Sequence, residues 1–143
     1  MLQMPVVDLD DEIAKAAGKE IPAIFEAEGE AGFRRMETQQ LQHFASTGGR
    51  ILVTGGGAVL SEQNRFFLKA NGYVVHITRA LEKLAMDGRP LSRNTDALKR
   101  LWQERAPLYA ACADTTIYNE TTLQECARKV AEGYNEAVCS ERS

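Results

Sequence analysis

The stretch "ILVTGGGAVL", Ile51 to Leu60, starts as a short apolar run that suits a buried strand and then spends three consecutive glycines before turning apolar again. A glycine cluster directly after a strand marks a place where the backbone is approached closely, and in parallel sheets ligands bind beyond the carboxyl ends of the strands. Reading outward, "MPVVDLD" and "YVVHIT" are two more short apolar runs, and "DTTIYN" is a fourth. Amphipathic segments lie between them. Four strands separated by helices give an α/β protein with a parallel sheet, expected as one domain over residues 1–143.

The same spacing predicts the helices and their ends. Asp10 or Asp11 is placed to cap the helix after the first strand, and Gly18 to end it. The segment "EIPAIFEAEGEAGFRRMETQQLQHFAST" reads as two helical pieces, with Ile21, Ile24 and Phe25 on one, Phe33, Leu41 and Phe44 on the other, and Gly29 at the joint. Ser61 caps a helix that stops at Asn71-Gly72. "RALEKLAMDGRPLSRN" is polar and punctuated by Gly88 and Pro90, so it reads as a loop. A long helix through Leu98, Leu101, Trp102 and Leu108 follows, with Trp102 expected in the core. Thr121 and Gln124 form a capping box for the terminal helix, whose packed face is read as Leu123, Ala127 and Val130.

Composition narrows the class of function. A net charge of −3 over 143 residues offers no basic field for nucleic acid or an anionic membrane. No apolar run is long enough to span a bilayer, and the acidic start "MLQMPVVDLDDEI" is unlike a signal peptide, so a cytoplasmic protein is expected. Cys112, Cys126 and Cys139 have neither CxxC spacing nor a nearby histidine, which fits reduced thiols on or under helices better than a zinc site. His76 lies within a strand and reads as packed or edge-facing and not catalytic.

The charged residues that remain gather at strand ends. Asp8 and Asp10 follow the first strand, Gly55, Gly56 and Gly57 the second, and Arg34, Arg89 and Arg105 fall in loops or helices nearby in sequence. Carboxylates, open backbone and guanidinium forks together suit a small hydroxylated anion, since a fork holds a carboxylate or phosphate through two hydrogen bonds. Arg34 and Arg35 point to different helix faces, so one of them at most enters a common site. Glu37 has two readings, an acid that orients Arg34 or a solvated surface acid.

Six of these stretches, "VVDLDDEI", "IFEAEGEAGFRRME", "VTGGGAVL", "NR" at Asn64-Arg65, "GRPLS" and "ERAPLY", occur in an order and spacing that resembles shikimate kinase, a small P-loop kinase of aromatic amino-acid biosynthesis. The resemblance runs from about Pro5 to the terminal helix. It implies a three-layer parallel-sheet fold and phosphate transfer from ATP, with Mg2+, to the 3-hydroxyl of shikimate. It implies that Asp10 orients and deprotonates that hydroxyl, that Asp8 sits near the metal through water, and that Arg34 and Arg105 clamp the shikimate carboxylate. Gly55, Gly56 and Gly57 would bring main-chain amides to the ligand, being glycine for space and for tolerance of unusual φ. Arg89, in a lid of about residues 79–95, would cover the phosphates and stabilise charge during transfer. Family members are mostly monomeric.

One element of the pattern has no counterpart. The family carries GxxxxGK[ST], a loop whose amides and lysine cradle the ATP phosphates, on a strand and helix before "VVDLD". The Gly18-Lys19 pair precedes Glu20 and closes a helix, so it is not that loop. The expected fold is therefore incomplete, lacking its central first strand and phosphate loop, with self-association through the gap in view. The alternative function that follows is a catalytically inactive module that binds shikimate without using ATP.

Overall fold

The computed structural model describes residues 2–78 and 95–142, which form two compact units, Gln3–Gly72 and a second running from Tyr73 onward. The lid reading and Arg89 fall outside the described residues.

In the first unit a strand β1, Val6–Asp8, runs without a loop into helix α1, Leu9–Ala17. The cap is Asp8 and not Asp10 or Asp11: with no linker, the last strand residue itself supplies the capping oxygen, and the Asp10 N–H donates to Asp8 Oδ1 at 2.9 Å. Asp10, Asp11 and Glu12 then occupy the first turn, where negative charge suits the helix dipole. Gly18 ends α1 in the left-handed conformation, φ 69°, and donates its N–H to Ala14 O at 2.9 Å.

Helix α2, Ile21–Thr47, is two pieces, as its sequence predicts. Gly29 stands at φ 72° and ψ −178°, a backbone state closed to residues with a Cβ, and it turns the axis between them. Strand β2, Ile51–Val53, pairs parallel to β1 in the register Val6↔Ile51, Val7↔Leu52 and Asp8↔Val53. A short 3-10 turn, Gly56–Leu60, leads to Ser61, whose hydroxyl accepts from the Asn64 N–H and caps helix α3, Glu62–Asn71. Leu9, Ile13, Ile24, Phe33, Leu41 and Ala58 form the buried cluster, packed further by Leu52, Phe67 and Leu68. Burial of each large side chain contributes about 1.5–3 kcal/mol, so this cluster is what fixes the two helices against the strand pair. Val6 and Val53 remain exposed on the strands.

The second unit repeats the theme. Strand β3, Val75–Thr78, pairs parallel to β4, Thr115–Tyr118, with Val75↔Thr115 through Thr78↔Tyr118 in register. Helix α4, Thr95–Cys112, connects to β4, and helix α5, Leu123–Arg142, follows it. His76 stacks on Tyr109 with ring centroids 4.4 Å apart, and burial holds its pKa below the usual value. Trp102 is an outer member of this stack, 36% exposed, because its neighbours are rings at its edge and not an enclosing core. Thr122, not Thr121, caps α5: its Oγ1 accepts from the Glu125 N–H at 3.1 Å. The packed stripe of α5 is shifted accordingly to Cys126, Val130 and Ala131, leaving Leu123 and Ala127 exposed. Cys112 and Cys126 are buried and Cys139 is exposed, with no disulfide between them.

The described strands thus make two two-stranded parallel sheets, β1-β2 and β3-β4. None of the helices among the described residues is long and apolar enough to cross a membrane.

Candidate functional site

The strand pair β1-β2 delivers two residue sets to one place. Its parallel register brings Asp8 opposite Val53, so the start of α1 and the glycine turn both leave from the carboxyl end of the sheet. A Cβ built on Gly55 would lie 3.8 Å from Asp10 Oδ1, which places the Asp10 carboxylate against the backbone where the turn opens. Two residues further, a Cβ on Gly57 would lie 2.5 Å from Arg34 Nη1 and 2.7 Å from its Cζ. The Arg34 guanidinium occupies the room that a side chain at Gly57 would need. Carboxylate and guanidinium therefore flank the two ends of a single three-residue turn.

Gly57 is required for space and not for backbone freedom, whereas a Cβ on Gly55 would make only ordinary contact with Asp10. The positive-φ glycines among the described residues are Gly18, Gly29, Gly48 and Gly49, and Gly55 itself is extended at φ −71°. The expectation of unusual φ in the glycine turn is thereby corrected, because the 3-10 turn that follows uses ordinary right-handed angles.

Arg34 is held from its own helix. Its Nη1 donates to Glu37 Oε1 at 2.9 Å and its Nη2 lies 3.7 Å from Glu30 Oε1. Glu37 is 1% exposed, so of its two readings the orienting one holds and the surface one does not. A buried carboxylate beside a guanidinium fixes the direction of the fork at the expense of desolvation. The Arg34 Nε is buried with no hydrogen-bond partner among the described residues, a donor suited to an anionic oxygen from a ligand. Arg35 is exposed.

Asp10 is partly buried, and its pKa is raised from the ordinary carboxylate value, first by burial and then by the negative charges of Asp8 and Asp11, with Arg34 opposing. A carboxylate with increased proton affinity beside an open backbone can accept a proton from a bound hydroxyl. Asp8 has one oxygen committed to the cap, and its side chain is exposed. Arg105 belongs to α4 in the second unit, where its Nε is likewise buried with no hydrogen-bond partner among the described residues.

Fit to the expected cofactors differs between metal and nucleotide. Mg2+ is commonly held by one or two carboxylates, with water and phosphate completing the shell, and the exposed Asp8 suits the water-mediated form. The described residues do not form a cradle for nucleotide phosphates. The glycine turn is filled by a guanidinium, and Gly18-Lys19 closes a helix.

Asn64 was legible in sequence only as half of the "NR" pair, with no role attached. It is 1% exposed and donates from Nδ2 to Ala58 O at 3.0 Å. Arg65 beside it donates to Val59 O.

Fold and site together define an α/β protein in which a carboxylate, a guanidinium and a glycine turn meet at the carboxyl end of parallel strands. The shikimate kinase family model matches residues 1–135. The shikimate kinase of Thiobacillus denitrificans is 40% identical over 132 residues, covering 84% of this chain and 69% of the relative. That of Aromatoleum aromaticum is 44% identical over 123 residues, covering 80% and 70%. Among solved structures, shikimate kinase from Acinetobacter baumannii in complex with shikimate superposes with a TM-score of 0.79 at 35% identity, covering 96% of this chain and 80% of that one. Shikimate kinase from Aquifex aeolicus gives 0.82 at 31%, covering 95% and 83%. The chain belongs to the shikimate kinase family, and is by family a phosphotransferase.

Proposed function

We propose that this chain carries the acceptor side of a shikimate kinase, which phosphorylates the 3-hydroxyl of shikimate with ATP and Mg2+ in the cytoplasm. The observation that carries the reading is the convergence of Asp10 and Arg34 on the Gly55–Gly57 turn. Shikimate presents hydroxyls and a carboxylate on one small ring, and a carboxylate and a guanidinium flanking one turn match those groups. In this reading Asp10 orients the attacking hydroxyl and takes its proton, and Arg34 grips the carboxylate. The Gly55, Gly56 and Gly57 backbone lies beside the ligand, Asp8 approaches the metal through water, and Arg89, outside the described residues, is the expected partner of the phosphates. Because phosphoryl transfer depends on positioning and electrostatic stabilisation, this half of the site supplies the acceptor's orientation.

Among the described residues neither Gly18-Lys19 nor the glycine turn forms a cradle for nucleotide phosphates. The same observation favours a second reading, a shikimate-binding module that does not turn over ATP. Titrating the 143-residue chain with shikimate, and following ADP release with Mg2+ and ATP, separates the two. Both readings require saturable shikimate binding that weakens by at least about tenfold in Arg34→Ala, the scale of one charge-assisted hydrogen bond. Shikimate-dependent ADP release that disappears in Asp10→Asn selects the kinase. Binding without release selects the module, and absence of binding refutes both.

A further inference from the structure

The glycine turn is held from behind by two adjacent residues that the acceptor chemistry does not use. Asn64, 1% exposed at the start of α3, donates from Nδ2 to Ala58 O at 3.0 Å. Arg65, next in sequence, donates from its guanidinium to Val59 O. These two carbonyls belong to the 3-10 turn that begins at Gly56, and the turn is closed internally by the Ala58 N–H donating to Gly55 O at 3.2 Å. Two successive carbonyls pinned by two successive side chains fix the rotation of the peptide planes between them. Since a peptide plane carries C=O(i) and N–H(i+1) on opposite edges, that rotation also sets the direction of the Val59 and Leu60 amides, at the C-terminal side of the glycines. On its other side the turn packs against the Arg34 guanidinium, with no space for a side chain at Gly57. An error in its backbone is therefore passed directly to Arg34. The Asn64 Oδ1 is buried with no hydrogen-bond partner among the described residues, an arrangement that has a cost for folding and is retained together with the donation to Ala58.

We infer that Asn64 and Arg65 are positioning residues for the acceptor site, holding the Gly55–Gly57 backbone in register with Arg34 through the carbonyls of Ala58 and Val59. The inference rests on the reading of that turn as the shikimate site, and the test separates the two. Arg65→Ala, Arg65→Lys and Asn64→Leu are made in the full chain. The leucine replaces a buried amide with a side chain of similar size that has no donor and no orphan acceptor, so it removes the pin while keeping the interior filled. Amide hydrogen exchange at Ala58, thermal melting and shikimate affinity are then measured. The expected result is exchange at Ala58 faster by at least about tenfold in Arg65→Ala and Asn64→Leu, and a shikimate Kd raised by a similar factor, with a cooperative melt retained. Arg65→Lys, which keeps a cationic donor, should recover most of both.

Exchange and affinity like those of the wild type in both variants overturn the inference. A loosened turn with unchanged Kd does the same. Loss of the cooperative melt in both also counts against it, since the pair would then support the whole unit and not the turn. If the wild-type chain binds no shikimate, the functional reading falls, and the exchange rates alone decide whether the pair holds the turn.

Discussion

Replacing Gly57 by alanine puts the contact between the glycine turn and Arg34 to a quantitative test. The added Cβ would lie 2.7 Å from Arg34 Cζ and 2.5 Å from Nη1, whereas carbon contacts settle at about 3.5–4.0 Å. The guanidinium must therefore retreat by roughly 1 Å. A retreat away from Glu37 would lengthen the 2.9 Å bond to about 3.9 Å, beyond hydrogen-bonding range. Hydrogen bonds to charged groups are worth about 1.5–3 kcal/mol. Against this, alanine restricts the unfolded chain and recovers about 0.4–1 kcal/mol, and Gly57 is not among the positive-φ glycines, so no backbone strain is added. The net expectation is a loss of about 1–2 kcal/mol, a fall in Tm of several degrees for a chain of 143 residues. Shikimate binding should suffer more, by roughly 10–100-fold, since the fork is displaced from its ligand. Calorimetric titration and thermal melts of Gly57→Ala, Arg34→Ala and the double variant test this as a cycle. If the alanine acts through Arg34, its effect on affinity disappears once Arg34 is gone. Additive losses, or an alanine variant that binds within about twofold of wild type, would refute the reasoning.

Two further expectations concern the acids. The folded-state pKa of Asp10 is raised, so its stabilising contribution is present below the ordinary carboxylate range and is lost as pH rises through the raised value. Asp10→Asn should therefore melt like wild type below the ordinary carboxylate range and more stably near pH 7, while acceptor turnover is abolished; a difference independent of pH would contradict this. Asp8→Ala should cost about 1 kcal/mol through the lost cap of α1, and Asp8→Ser, which keeps a capping oxygen, should recover most of it in a denaturant titration. Equal losses in both would show that capping is not what Asp8 contributes to stability.

The elements were legible because their signals are local. The apolar runs at Val6, Ile51, Val75 and Thr115 became strands, and the Gly29 joint and Gly18 stop needed nothing beyond the chain's own spacing. Ser61 caps α3 as expected, while the caps of α1 and α5 were displaced, by two or three residues and by one. Where β1 runs straight into α1, the capping side chain is the strand's last residue, and where two threonines adjoin, geometry alone chooses Thr122. The slipped stripe on α5 and the half-exposed Trp102 have the same origin, since a helix of mixed composition does not reveal which face its neighbours cover. At the site, Asp10, Arg34 and the glycines were visible as residue types at strand ends. Glu37 was ambiguous because three-residue spacing suits a solvated pair as well as a buried one. Asn64 was invisible as a function, since its meaning lies in where the Ala58 carbonyl points.

The location of the residues assigned to the acceptor, Arg105 apart, within one contiguous unit also bears on how the protein is born. Asp8, Asp10, Arg34, Gly55–Gly57, Asn64 and Arg65 all precede Tyr73, together with the cluster from Leu9 to Ala58. A ribosome adding about 5–20 residues per second needs roughly 4–14 s to make residues 73–143. Throughout that interval a unit of near-minimal size for independent folding would hold its own interior while offering the exposed Val6 and Val53 of a two-stranded edge to other chains. The hazard to the chain would then be strand pairing with other copies through Val6 and Val53, which are exposed in the complete chain as well.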